Sequence, residues 1–304
     1  MRKFIINILS FSLFFLIFYA VGIVLLGKLL PSELRPNLKN IAPDYGSTYS
    51  MISDLKKEKN VDILVLGASD AYRGYDPRIF NSYGYKIFNL GSSSQTPLQT
   101  KILLENYFHK LQPKIVIYEV SPVCFSLDGI ESSMDLILNK VDNRIALRLL
   151  LKTPDIMLIN SYIYSIIVDK LFPIKSTKDF FYTSNEKYIT NGYVETKLKF
   201  NQKGKVDTVK WIPNPRQVDE FRRICRFFVD KEVSYILVNA NNITDRGFSN
   251  KNDAYNLFRS NGTFINMENR LILSDSLHFF DNSHLNQNGV GEFNRYLIDN
   301  VLCY

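Results

Sequence analysis

Two short stretches at opposite ends of the 304-residue chain carry side chains suited to acyl chemistry. Early on, Val61-Asp-Ile-Leu-Val-Leu66 reads as a buried strand and runs into Gly67-Ala68-Ser69-Asp70. A serine on the tight turn after a parallel strand exposes its Oγ at the carboxyl edge of the sheet, where α/β ligands bind. A helix opening there points backbone N–H groups at a developing oxyanion. Near the other end, Asp281-Asn-Ser-His284-Leu-Asn-Gln-Asn-Gly289 sets an aspartate three residues before a histidine. On a loop or a first helical turn, two side chains so spaced can face one cleft. His284 can then take the Ser69 proton while Asp281 fixes its tautomer and stabilises the imidazolium.

The chain has three histidines, so any imidazole step falls to His109, His278 or His284. Asp275-Ser-Leu-His278 repeats the Asp-x-x-His pattern six residues earlier. It lacks the following Leu-Asn-x-x-Gly and is flanked by Phe279 and Phe280, so a packed or loop-supporting role is expected for it. His109 falls on the polar side of a helix and reads as a surface residue. Cys124, Cys225 and Cys303 lie far apart, with neither metal-ligand spacing nor a disulfide framework. No metal and no cofactor is expected.

The elements that must position these residues follow a strand-and-helix rhythm. Lys86-Ile-Phe-Asn-Leu90 is a second strand ending at Gly91, and Lys114-Ile-Val-Ile-Tyr-Glu-Val120 a third, stopped by Pro122. Between them Thr96-Pro97-Leu98-Gln99 opens a helix: a Thr N-cap, proline at the first helical position, and Gln where a capping box wants it. Leu98, Ile102, Tyr107, Phe108 and Leu111 give that helix its apolar face. Asn214-Pro215-Arg-Gln217 repeats the cap-and-proline device ahead of a stripe of Val218, Phe221, Ile224, Cys225 and Phe228. Ser234-Tyr-Ile-Leu-Val-Asn239 is a fourth strand. Strands alternating with helices imply a parallel sheet covered on both faces.

Residues 125–213 interrupt the rhythm with two apolar helical stretches near 134–151 and 155–172, then a Tyr/Phe-rich tract and a hairpin around Asn201-Gln-Lys-Gly204. A link that long reads as an inserted cap. Phe180, Phe181, Tyr182, Tyr188, Tyr193 and Trp211 are of the type that stacks on sugar rings, though such residues more often form an insertion's own core.

Composition sets the surroundings. With 46% hydrophobic and 22% charged residues the chain is neither disordered nor collagen-like. A net charge of +7 without a run of basic residues argues against nucleic acid. Residues 4–27 carry no charge, and at about 1.5 Å per residue they exceed a hydrocarbon core of roughly 30 Å. The following Gly27-Lys-Leu-Leu-Pro31 offers no small-x-small cleavage site, so an uncleaved single span is expected. The short basic start, Arg2-Lys3, favours a cytoplasmic N-terminus, which puts the rest of the chain outside. The expected organisation is a cytoplasmic start and anchor over 1–27, a juxtamembrane segment over 28–59, a catalytic domain from 60–124 and 214–304, and the cap over 125–213.

Ser69 after the first strand, Gly91 after the second, and Asp281-x-x-His284-Leu-Asn-x-x-Gly289 near the end together resemble the SGNH (GDSL-like) hydrolase superfamily. The resemblance spans roughly residues 60–124 and 214–304. It implies a flavodoxin-like three-layer α/β/α domain with Ser69 as nucleophile, His284 as base, Asp281 as its orienter, and the Ser69 and Gly91 N–H groups as oxyanion donors. Two positions depart from the family: Ala68 stands where an Asp usually precedes the serine, and Glu119-Val-Ser121-Pro122 replaces the usual Gly-x-Asn-Asp. Losing that Asn donor typically costs ~10²–10³ in rate, and Asn89 and Ser121 are the candidates to substitute. The single span is similar to the family's membrane-anchored branch, the D-alanyl-transfer protein of teichoic-acid machinery and, more loosely, alginate O-acetylation proteins.

Two functions follow. One is a membrane-anchored esterase or O-acyltransferase acting on an acylated glycan outside the cytoplasm. The other is a catalytically silent accessory protein that binds glycan or a membrane-bound acyltransferase.

Overall fold

A computed structural model of the chain describes residues 1–35, 37–39, 46–171, 182–183, 185–199, 206–240 and 242–302. A long helix, α1 (Arg2–Leu29), comes first, followed by α2 (Ser47–Leu55). The expected rhythm then begins with β1 (Ile63–Leu66), α3 (Ser69–Gly74), α4 (Pro77–Ser82), β2 (Ile87–Asn89), α5 (Pro97–Leu111) and β3 (Ile115–Glu119). After the short α6 (Pro122–Ser126) the chain leaves the sheet for α7 (Ile130–Leu138), α8 (Asn143–Lys152) and α9 (Ile156–Leu171). Three short strands follow, β4 (Tyr182–Thr183), β5 (Glu186–Tyr188) and β6 (Val194–Thr196). The main sheet resumes with α10 (Pro215–Asp230), β7 (Ser234–Asn239), α11 (Ile243–Arg246), α12 (Lys251–Arg259) and β8 (Phe264–Asn266), and the chain closes with α13 (Asp275–His278) and α14 (Gln287–Leu297).

The main sheet is wholly parallel, in the order β2-β1-β3-β7-β8. Counted within the sheet that is 2-1-3-4-5, the flavodoxin-like order, with the reversal between β1 and β3. Alternate residues of each strand point to opposite faces. Leu64, Leu66, Val116, Tyr118 and Leu237 join α5 and α10 in one core, while Ile63, Val65, Ile117 and Val238 join α3, α4 and α14 in the other. The four expected strands are present, the first three slightly trimmed and the fourth with the expected bounds. β8 was hidden in the sequence because only three residues, Phe-Ile-Asn, pair there.

Both proline-led helices begin where expected. The Asn214 side chain accepts from the Arg216 N–H, capping α10. At α5 the capping box does not close: the Thr96 hydroxyl donates to the Gln99 side chain instead of capping a backbone group. His109 is exposed on α5.

The insertion breaks one expected helical stretch and shows which of the two readings holds for two of its aromatic residues. The stretch near 134–151 is two helices, broken at 139–142 where Lys140 takes φ 67°. These helices do not stand apart: Met134, Ile137, Ile145, Leu149 and Leu158 belong to the same core as α5. Trp211 and Tyr193 are core residues and not ring-stacking platforms. Trp211 is buried with its indole N–H donating to the Pro122 carbonyl at 2.8 Å, and Tyr193 is buried with its hydroxyl on Gln287 at 3.1 Å. Tyr188 is half-buried and bonds Asp54. Phe180, Phe181 and the hairpin at 201–204 lie outside the described residues. The small antiparallel sheet β4-β5-β6 lies beside α3, tied by Glu186 to Arg73 and by Glu195 to Arg78.

The segment between anchor and domain also joins the body, since Met51, Ile52 and Leu55 of α2 sit in the first core. α1 is long and apolar enough to cross a membrane, and the most apolar part of it is almost wholly unburied.

Candidate active site

Ser69 is the first residue of α3, directly after β1, and is half-buried. The turn is tight. Gly67 has φ 144°, and a Cβ there would meet the Glu119 carbonyl and the Ala71 methyl at 2.9 Å, so the chain can pass this close to the end of β3 only without a side chain. At the first position of a helix the backbone N–H has no intrahelical acceptor and is available to a ligand.

The other half of the site is the loop between α13 and α14. His284 Nδ1 lies 2.8 Å from Asp281 Oδ2 and 3.0 Å from Oδ1. The Ser283 and His284 backbone N–H groups also donate to Oδ1, each at 2.7 Å. Burial pulls the Asp281 carboxyl upward, but the bond and charge of His284 and the two backbone donors outweigh it and hold the pKa below its ordinary value. The Phe280 ring stacks on the imidazole at 5.4 Å and 13°, and its N–H donates to the His284 carbonyl. Arg73 lies over the Phe280 ring at 5.7 Å. With Nδ1 held by Asp281, Nε2 is left facing inward. It is buried and, among the described residues, has no hydrogen-bond partner.

The rest of the terminal motif builds this loop. Asn286 caps α14 by accepting from the Gly289 N–H at 3.1 Å. A Cβ on Gly289 would stand 2.2 Å from the His278 carbonyl, so glycine lets the helix start press on the preceding turn. That same His278 carbonyl accepts from the Asn286 N–H, and His278 Nδ1 accepts from the Ser274 N–H at 2.8 Å. Asp275 pairs with Arg246 at 2.7 Å. The second Asp-x-x-His therefore supports the loop, as its flanking sequence implied.

Among the described residues no hydrogen bond joins Ser69 to His284 Nε2; the turn bearing Ser69 and the loop bearing His284 are each tied to the segment after β7, through a network that the sequence did not reveal. Asn242, just past β7, donates to the Asp70 carboxylate at 3.1 Å and accepts from the Asp245 N–H at 2.7 Å. Two residues on, Thr244 binds the Asn282 carbonyl and the Ser283 hydroxyl. Behind them Asp245 accepts from Ser121 and Asn239, and Glu119 accepts from Tyr75 at 2.6 Å and from the Ala240 N–H at 2.8 Å. Burial is the main cause that pushes Asp70 and Asp245 up to about 7 and Glu119 up to about 8. His284 is close enough to Asp70 to favour its charged form. The available signal was positional: Asn239-Ala-Asn-Asn242 follows a strand at the ligand-binding edge.

Apart from Ser69, each of the expected oxyanion donors makes a hydrogen bond elsewhere. The Gly91 N–H donates to Asn89 Oδ1 at 2.9 Å, and Asn89 Nδ2 donates to the Ala71 carbonyl at 2.6 Å. The Ser121 hydroxyl donates to Asp245 at 3.0 Å. The Gly91 N–H and the Ser121 hydroxyl would have to give up those bonds to serve an oxyanion, whereas Asn89 Nδ2 carries a second hydrogen; among the described residues the Ser69 N–H has no acceptor outside its own helix. Among the described residues no group of three His, Cys, Asp or Glu is arranged to hold a metal ion.

No family model matches the chain, and no curated protein matches its sequence. Among solved structures it is similar to a GDSL-like lipase from Bacteroides thetaiotaomicron, at 11% identity and a TM-score of 0.40, over 80% of this chain and 88% of that one. It is likewise similar to a protein described as an acylhydrolase from Bacteroides fragilis, at 11% identity and a TM-score of 0.40, over 83% and 92% of the two chains.

Proposed function

We propose that the chain is a serine-dependent acyl-transfer enzyme, an esterase or O-acyltransferase, working on an acylated glycan outside the cytoplasm from a single N-terminal anchor. The observation that carries this reading is the Asp281–His284 pair, with Nδ1 fixed at 2.8 Å and Nε2 buried and, among the described residues, unpartnered. A buried ring nitrogen left without a partner is costly in a purely structural loop. It is what a general base requires before its substrate complex forms.

In this mechanism His284 Nε2 takes the Ser69 proton as Oγ attacks the ester carbonyl. The Ser69 N–H, at the start of α3, faces the oxygen that gains charge. Collapse of the tetrahedral adduct breaks the bond to the leaving alkoxide, which receives the proton from Nε2, and leaves an acyl-serine. Water or a sugar hydroxyl then attacks that ester, again with His284 as base, and restores free Ser69. Asp281 balances the imidazolium in both halves.

A second reading has its own support. Because the Gly91 N–H and the Ser121 hydroxyl are engaged, the oxyanion site is thin, which suits an accessory protein that keeps the fold to bind glycan or a membrane acyltransferase. Turnover of small acetyl esters by the full chain separates the two. Ser69→Ala and His284→Ala should each lose nearly all of it, while His278→Ala keeps most. Equal loss in His278→Ala would reverse the choice of histidine, and absence of turnover in the unmodified chain would favour the accessory role.

A further inference from the structure

We propose that the connection between α8 and α9 enters the outer face of the bilayer beside the anchor, so that the domain is held by a second, interfacial contact with lipid. This rests on α1 being a membrane span, and it follows from where α1 meets the domain.

α1 does not leave the domain at its last residue. The Tyr19 hydroxyl donates to Asn160 of α9 at 2.6 Å, Ile23 is buried with Tyr164, and Gly27 lies so close to the Tyr164 ring that a Cβ there would be 2.2 Å from it. Arg35 binds the Gly27 carbonyl, and the Asn37 carbonyl accepts from Asn160, which fastens the end of α1 to α9. The part of the uncharged run that stands clear of the domain is residues 4–18, about 22 Å of helix. A hydrocarbon core of roughly 30 Å is longer than that. It reaches to about residue 23 if it begins at residue 4, and tilting the helix only moves the limit further along the chain. The bilayer must therefore thin around the protein or meet the part of α9 that runs beside residues 19–23.

What it would meet is apolar. Tyr19 faces Asn160 and Gly27 faces Tyr164, so the two helices run in the same sense and the start of α9 points toward the membrane side. At that start Ile156 and Ile159 are 51% and 37% exposed, and Leu151, at the end of α8, is 80% exposed. In water the exposed part of these side chains costs free energy, which the acyl boundary would relieve. Between them Lys152 is exposed and its stem is long enough to carry the ammonium to the headgroup level. Asp155 caps α9 by accepting from the Leu158 N–H at 3.0 Å. Two charged residues on the connection set its depth at the interface rather than in the hydrocarbon.

The test places a tryptophan at single positions of the full chain, reconstituted in phosphatidylcholine vesicles whose acyl chains carry bromine at a chosen depth. Trp211 is buried and gives a constant background, read from the unmodified chain. Ile156→Trp, and independently Ile159→Trp, should lose at least half of the added emission to bromines near the carbonyl end of the chains. Phe11→Trp, at the middle of residues 4–18, should be quenched most by bromines near the chain ends. Val229→Trp, about 20 Å along α10 from the Arg216–Lys152 contact, should not be quenched. Quenching of Phe11→Trp without either isoleucine variant would overturn the interfacial contact and leave the anchor standing. No quenching at any position would remove the anchor and this proposal with it. Quenching of Val229→Trp as well would mean the whole domain adsorbs, and would overturn a contact confined to the α8–α9 connection.

Discussion

Replacing Asp281 by asparagine changes one atom of the side chain, and the geometry says what that atom does. Oδ1 accepts three donors: the Ser283 and His284 backbone N–H groups and the His284 ring. Oδ2 meets only the ring, at 2.8 Å. Asparagine must keep its oxygen on the two backbone donors, so its NH₂ takes the place of Oδ2 and faces Nδ1. A donor there makes Nδ1 the acceptor and moves the ring proton to Nε2. The base is then blocked at the atom that should remove the Ser69 proton. Losing the correct tautomer in this way costs about 10⁴ in kcat, or about 5.5 kcal/mol of transition-state stabilisation. The effect on folding is far smaller. Asp281 is 45% exposed, so its ion pair with His284 is worth about 1 kcal/mol or less after solvent screening. Hydrolysis of p-nitrophenyl acetate by the full chain in detergent, alongside a thermal scan, reads both quantities. The expected result is a loss of three to four orders of magnitude in rate with Tm lower by only about 2–4 °C. Activity within tenfold of the unmodified chain, or a loss of rate explained by unfolding, would refute the tautomer argument.

Trp211→Ala removes a buried indole and strands the Pro122 carbonyl, so stability should fall by about 3–5 kcal/mol while the folded fraction keeps its small-ester turnover; an unchanged Tm with selective loss on glycan would restore a stacking role. Asp70 titrates near 7 in the fold against an ordinary 3.8, so the native state carries the extra proton between those values and Asp70 makes stability fall as pH rises through them. In Asp70→Asn, denaturation midpoints measured from pH 4 to 7 should decline less steeply than in the unmodified chain; identical slopes would show that this carboxyl is not the group held neutral.

The strands and the two halves of the site were legible because each is a local signal. A β-branched run ending at glycine, a proline after a capping residue, and an aspartate three before a histidine are complete within ten residues. Gly289 and Asn286 were read as part of a motif, and the structure supplies their physical role in shaping the turn that bears His284. What could not be read depends on partners far apart in the chain. Tyr75 with Glu119, and Ser121 with Asp245, are joined only by the sheet. Whether Trp211 and Tyr193 face solvent or core is decided by α6 and by α14, not by their neighbours in sequence. The oxyanion candidates illustrate the same limit: type and position suggested Gly91, Asn89 and Ser121, but that the Gly91 N–H and the Ser121 hydroxyl are already bonded is visible only in three dimensions.

The central claim is that Ser69 becomes a nucleophile when a reactive acyl or phosphonyl group is presented. A fluorophosphonate probe tests it directly, because trypsin releases residues 60–73, a peptide in which Ser69 is the sole serine. The account predicts a mass addition on that peptide, absent in Ser69→Ala and slowed by orders of magnitude in His284→Ala. A chain that stays unlabelled while folded, or one labelled on another peptide at the same rate with or without Ser69, would contradict it.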